Sequence, residues 1–123
     1  MASSSSTGWT ATPPTTEQDW RAVAAVLSRL HTLTRDRPQR PGFRATVDLL
    51  THDHGGDVRL DLMPADAIRR CRAAWRTLIR EPQSVVHGDP GAGNIRVSRQ
   101  GAGIFDWDES RVDASILDLA SLP

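Results

Sequence analysis

The chain contains no lysine and a single cysteine, Cys71. One thiol cannot form an intrachain disulfide, so the composition favours a reducing compartment, and we expect a cytoplasmic protein. All 15 basic residues are arginine, so a site in which a lysine contacts a phosphate cannot be built from these residues alone.

The chain also has no excess charge and no long apolar run. Its 15 basic residues are balanced by 15 acidic ones, which gives a formal net charge of zero. We therefore expect no nucleic acid and no anionic membrane as partner, but a small molecule. No apolar stretch reaches membrane-spanning length, and the opening residues lack the basic and apolar regions of a secretory signal, so we expect neither feature.

Composition divides the chain into a short tail and one domain. Residues 1–14 are rich in Ser, Thr and Pro, and we predict a disordered tail there. Residues 15–123 are enough for one domain, which at this size buries roughly two thirds of its unfolded surface.

Apolar residues at three-and-four spacing predict two amphipathic helices. The first begins where Thr16 and Asp19 can form a capping box, and it runs to about Leu33. Its stripe includes His31, for which a satisfied core position is favoured over a site role. The second helix follows Pro64, and its apolar face comprises Ile68, Cys71, Trp75, Leu78 and Ile79.

A polar stretch between the helices is a weaker candidate site. His52, Asp53, His54 and Asp57 could bind a metal, but two glycines make the segment mobile and no regular element presents the side chains together. A polar surface loop is the favoured interpretation.

The stretch Val85–Ile95 holds most of the side chains suited to chemistry. Two β-branched residues lead into a glycine-rich turn that carries His87, Asp89 and Asn94. On its own, such a turn is equally typical of ordinary loop chemistry, in which Asp and Asn close local turns.

A β-hairpin is predicted directly after this turn. Its strands are the apolar pairs Ile95/Val97 and Ile104/Phe105, joined across residues 98–102. The two outer ends of the hairpin should bring Asn94 and Asp106 close together.

These residues resemble the catalytic segment of the aminoglycoside phosphotransferase (phosphotransferase enzyme) family. The resemblance covers His87-Gly88-Asp89, Asn94 five residues after Asp89, and Ile104-Phe105-Asp106-Trp107. The earlier Leu30-His31 and the later Asp118-Leu119-Ala120 also match family elements in the same order. The resemblance implies an α+β fold, a partial protein-kinase-like C-terminal lobe with two amphipathic helices, a catalytic loop and a β-hairpin.

The resemblance also implies roles for individual residues. Asp89 would orient an acceptor hydroxyl and accept its proton, while Asn94 and Asp106 would supply oxygen ligands to Mg²⁺. His87 and Gly88 would support the loop around the cofactor. The implied reaction is transfer of a phosphoryl group from ATP to a small-molecule hydroxyl.

The family's ATP-binding lobe and its nucleotide-contacting lysine have no counterpart in this sequence. We therefore expect residues 15–123 to be a truncated domain that does not transfer phosphate by itself. We further expect its uncovered apolar faces to be completed by a partner chain or by self-association. Two alternatives stay open: a non-catalytic interaction module or remnant, and a metal-dependent phosphohydrolase that uses His87, Asp89, Asn94 and Asp106.

Overall fold

A computed structural model describes residues 11–56 and 58–123, and within them the fold is α+β. The helices are α1 (Glu17–Leu33), α2 (Ala65–Trp75) and α3 (Ile116–Ala120). The strands are β1 (His54–Gly55), β2 (Val58–Arg59), β3 (Gln83–Val86), β4 (Ile95–Ser98), β5 (Gly101–Ile104) and β6 (Arg111–Ala114). They form three antiparallel pairs, β1 with β2, β3 with β6, and β4 with β5.

Helix α1 begins as its sequence predicts. The Thr16 hydroxyl accepts a hydrogen bond from the Asp19 backbone N–H at 3.0 Å, and the Asp19 carboxylate accepts one from the Thr16 N–H at 3.2 Å. This capping box satisfies backbone donors that the first helical turn would otherwise leave unpaired. The helix ends at Leu33, which agrees with the predicted boundary.

The apolar stripe of α1 packs on the β4–β5 hairpin. Val23 and Leu27 from the helix form a buried cluster with Ile95 from β4. Ile104 lies opposite Ile95 in the register and packs against the same cluster, because alternate strand residues face one side of a sheet. The predicted hairpin is thus present, although its turn comprises residues 99–100 alone and Phe105 lies beyond the strand.

Part of the predicted tail contacts this hairpin. Thr12 exchanges two backbone hydrogen bonds with Val97, at 3.0 and 2.7 Å. Residues 11–14 are therefore held against the domain, while residues 1–10 of the predicted tail lie outside the described residues. The boundary between tail and domain stays a prediction.

Strand β6 was not expected from the sequence. It pairs with β3 along its whole length, from Gln83 opposite Ala114 to Val86 opposite Arg111. In the sequence, Asp113 directly precedes residues 114–122 and is a candidate N-cap for a helix there, but this prediction is wrong. Asp113 lies within β6 and is fully buried, and the short α3 begins only after Ser115.

The segment between α1 and β3 is less regular. Residues Thr46–Leu50 form a 3₁₀ helix, and β1 and β2 form a two-residue hairpin beyond it. No residue of α2 is fully buried, and Ile79 beyond it is 61% exposed. Association through such apolar side chains stays a prediction. Within the described residues, no helix is long and apolar enough to cross a membrane.

The packing of α1 gives a matched pair of stability predictions. Leu27→Ala should lower the free energy of unfolding by about 2–5 kcal/mol, because it leaves a cavity in the core cluster. Val26→Ala should change it by no more than about 0.5 kcal/mol, since Val26 is 38% exposed while Leu27 is 0% exposed. Urea unfolding followed by circular dichroism measures both, and equal effects would contradict the assigned packing.

Candidate active site

The buried carboxylate of Asp118 fixes the start of the turn that follows β3. Its Oδ2 accepts hydrogen bonds from the His87 backbone N–H and from His31 Nε2, each at 2.8 Å. Its Oδ1 accepts a third bond from the Gly88 N–H at 3.0 Å. Because α1 supplies His31 and α3 supplies Asp118, two helices together hold the turn in place.

These donors set the charge state of Asp118. Burial alone would raise its pKa, but the His31 hydrogen bond and the N–H groups of Gly88 and His87 outweigh burial, so the pKa lies below its ordinary value. The carboxylate is therefore ionised at neutral pH. An anion in this position is needed because every group that faces it is a donor.

The His87 side chain braces the turn from within. Its Nε2 lies 2.6 Å from the Phe105 carbonyl oxygen, and its Nδ1 lies 3.1 Å from the Asp89 backbone nitrogen. A carbonyl can only accept and a backbone N–H can only donate, so the ring is the neutral tautomer with its proton on Nε2. The ring also packs edge-on against Trp107, with centroids 4.6 Å apart.

Gly88 is required by the shape of the turn. Its φ of +97° lies in a region that other residues rarely adopt. A Cβ atom built there would lie 2.6 Å from the Glu109 carbonyl oxygen. The turn therefore passes against the segment before β6 at a distance that only glycine permits.

Asp89 and Asn94 are brought together on the exposed side of the turn. The Asn94 Nδ2 donates to the Asp89 backbone oxygen at 2.9 Å and lies 3.3 Å from its Oδ2. This interaction directs the amide nitrogen toward Asp89 and the amide oxygen away from it. Asp89 itself is exposed, so its carboxylate is accessible to a small molecule.

Asp106 lies beside this pair because of the hairpin. The Phe105 N–H donates to the Asn94 carbonyl at 2.7 Å, which extends the β4–β5 ladder by one bond and places Asp106 next to it. Asp106 is exposed and has a φ of 58°, a left-handed conformation that Asp and Asn tolerate better than most residues. One end of the hairpin thus carries Asp89, Asn94 and Asp106.

The donor chemistry at this end suits a hard cation. Asn94 can offer a neutral oxygen and Asp106 a charged one, and Mg²⁺ completes its shell with water and substrate phosphates. Among the described residues, no group of three His, Cys, Asp or Glu side chains is arranged to hold a metal. A cation at this site would therefore depend on oxygens from a bound ligand as well.

The polar stretch 51–57 does not form a second metal centre within the described residues. The His52 ring bonds the Asp48 carbonyl at 2.9 Å, and Asp53 pairs with Arg72 at 3.1 Å. His54 lies in β1 and its carbonyl accepts from Arg44. The side chain of Asp57 is not among the described ones. The favoured interpretation, a polar surface segment, agrees with these contacts.

Sequence reasoning assigned no role to Asp118 and the wrong one to Asp113. The Asp113 Oδ2 accepts bonds from the Thr46 N–H, the Thr46 hydroxyl and Arg111 Nε, each at 2.8 Å. Asp113 and Asp118 each stand among apolar residues in the sequence. An acid in such a pattern indicates a buried carboxylate, which needs several hydrogen-bond donors.

A sequence model of the phosphotransferase enzyme family matches residues 2–123, which is nearly the whole chain. No curated protein and no solved structure matches the chain significantly.

Two glycine substitutions in the same turn test its geometry. Gly88→Ala should lower the free energy of unfolding by about 1–3 kcal/mol, because both its φ and the nearby Glu109 oxygen oppose a Cβ atom. Gly93→Ala should be neutral or stabilising by up to about 1 kcal/mol, since nothing lies within 4 Å of a Cβ there. Urea unfolding separates the two outcomes, and a tolerated Gly88→Ala would contradict the described approach.

The ionised Asp118 predicts a dependence of stability on pH. Asp118→Asn should cost about 3–5 kcal/mol at neutral pH, because an amide cannot accept all three bonds. A lowered pKa stabilises the fold above the ordinary value of 3.8, and this contribution is lost as pH falls through the folded-state pKa. The difference between wild type and variant should therefore narrow in acid, whereas a constant difference across pH would refute the assigned ionisation.

Proposed function

Because the chain belongs to the phosphotransferase enzyme family, we propose that it takes part in the transfer of the γ-phosphoryl group of ATP to a small-molecule hydroxyl. The observation that carries the proposal is the placement of Asp89, Asn94 and Asp106 at one end of the β4–β5 hairpin. The turn that carries Asp89 and Asn94 is fixed by Asp118 and His87, and Asp106 directly follows the adjacent strand, so the fold sets the backbone positions of all three residues.

Asp89 is the proposed base and orienting group. Phosphoryl transfer depends mainly on position and electrostatics, and the acceptor hydroxyl must point in line at the phosphorus. An exposed carboxylate on a braced turn can accept the hydroxyl hydrogen bond and then its proton. Its backbone N–H is tied to His87 Nδ1, which limits how far the residue can move.

Asn94 and Asp106 are the proposed Mg²⁺ ligands. Bound Mg²⁺ would neutralise charge on the β- and γ-phosphate oxygens. Asn94 is suited to this role because its Nδ2 is engaged by Asp89, which leaves its Oδ1 for the cation. Asp106 brings a full negative charge from the adjacent strand end.

The bonds of His87 weigh against the phosphohydrolase alternative. That mechanism would use an imidazole as a metal ligand, but both ring nitrogens of His87 are occupied by the Phe105 carbonyl and the Asp89 N–H. The side chain is also fully buried. The remaining alternative, a non-catalytic module, predicts no specific binding of Mg·ATP.

The proposal predicts that Mg·ATP binding depends on Asp106. Asp106→Asn should weaken the binding of Mg·ATP by at least about tenfold, because a charged ligand becomes neutral. Asp36→Asn is the matched control, since Asp36 is also an exposed aspartate with a φ of 59°. Isothermal titration of the purified chain measures both affinities.

The Asp89→Asn variant separates binding from chemistry. It should bind Mg·ATP as the wild type does. Transfer to an acceptor, once a partner chain completes the domain, should fall by about 10²- to 10⁴-fold, the usual value of a general base. Equal binding by the Asp106 and Asp36 variants would indicate diffuse surface charge and would defeat the metal assignment. Absence of Mg·ATP binding by the wild type would favour a non-catalytic module.

A further inference from the structure

A groove of about 610 Å³ lies on the segment between α1 and α2, and none of Asp89, Asn94 and Asp106 lines it. It is lined by Gly42, Phe43, Arg44, His54, Gly55, Gly56 and Arg59. Its walls are therefore mainly backbone, one aromatic ring and cationic or imidazole side chains. A Cβ atom on Gly42 would have nothing within 4 Å, which shows that this wall is open.

Arg44 supplies one guanidinium group to the wall of the groove, and Arg40 contacts the ring of the neighbouring Phe43. Arg44 Nη1 donates to the His54 carbonyl at 2.7 Å, and Arg40 stacks over Phe43 at 3.9 Å from the ring centroid. Within residues 11–56 and 58–123, no carboxylate oxygen lies within 4.0 Å of either guanidinium.

Arg59 contributes a further guanidinium, although part of its charge is balanced. Its Nε and Nη2 contact Asp61 at 3.1 and 2.9 Å, and this pairing raises the pKa of Arg59. The pair is substantially exposed, so a ligand can approach it. Arg44 is fixed differently, because its stem lies in close contact with Gly55. Different contacts therefore hold Arg44 and Arg59 in the wall of the groove.

The groove connects to the proposed active site. A smaller cavity of about 80 Å³ shares Phe43, Arg44, Gly55 and Gly56 with it and is also lined by Glu109 and Arg111. Both of those residues lie directly against Gly88, the residue before Asp89. The Glu109 carboxylate would disfavour an anion at this inner end, so an anion should lie near Arg44 and Arg59.

We propose that this groove binds the anionic group, a carboxylate or a phosphate, of an acceptor whose hydroxyl extends toward Asp89. Guanidinium groups bind both oxyanions through paired N–H donors. The identity of the groove as part of an acceptor site rests on the proposed function. Its capacity to bind an oxyanion rests only on the residues that line it.

The test uses the purified chain and three small probes. Inorganic phosphate, glycerate and glycerol are titrated while amide resonances are followed by NMR. Phosphate or glycerate should shift the amides of Gly42, Gly55 and Gly56 in a saturable manner, whereas glycerol, which lacks the carboxylate, should not. The relative affinities of phosphate and glycerate identify which oxyanion the groove prefers.

Arginine substitutions assign the binding to this groove. Arg44→Gln and Arg59→Gln should each weaken oxyanion binding by about tenfold, since each removes a charged donor. Arg44→Lys should retain more binding than Arg44→Gln. Arg69→Gln is the control, because Arg69 is an exposed arginine of α2 that pairs with Asp66 outside the groove. Arg59→Gln keeps the test valid should Arg44→Gln disturb the fold.

Three results would overturn the inference: no saturable shift with either anion, an equal response to glycerol, or equal weakening by Arg69→Gln. Asp106→Asn distinguishes this inference from the proposed function, because it should weaken Mg·ATP binding and leave oxyanion binding in the groove unchanged. Absence of anion binding in the groove, with Mg·ATP binding intact, refutes this inference and leaves the proposed function standing. Anion binding in the groove without Mg·ATP binding refutes the phosphotransferase proposal and, with it, the groove's role as an acceptor site.

Discussion

The described structure depends on one buried anion, the carboxylate of Asp118. It accepts hydrogen bonds from His31 on α1 and from the backbone N–H groups of His87 and Gly88. The N–H groups at the end of β3 have no strand partner inside this turn, and an unpaired buried donor costs about 1–3 kcal/mol. One side chain satisfies two such donors and also ties the turn to both helices, so the position of Asp89 follows from it.

The hairpin provides the second constraint. Ile95 and Ile104 are opposite each other in the register and pack on α1, so a shift of one residue would turn both away from the core. The same register sets Asn94 before one strand and Asp106 after the other. Burial of apolar side chains on one face of the hairpin thus determines where the proposed metal ligands emerge.

A second buried carboxylate joins the groove to the active site. Asp113 accepts bonds from Thr46, at the start of the 3₁₀ helix beside the groove, and from Arg111, whose Nη1 donates to the Glu109 carbonyl. Glu109 in turn lies against Gly88. A continuous set of polar contacts therefore runs from the proposed acceptor groove to the turn that carries Asp89, which gives the two regions a fixed relative position.

Elements whose signals are local could be predicted from the sequence. The capping box of Thr16 and Asp19 begins α1, and the alternation at Ile95, Val97 and Ile104 marks the hairpin, because both depend on residues a few positions apart. The family resemblance also came from the sequence. Tertiary structure alone decided strand β6 and the roles of Asp113 and Asp118. Their carboxylates are stabilised by donors from distant segments, 87 residues away for His31 and Asp118, and no local pattern specifies which donors will meet a buried charge.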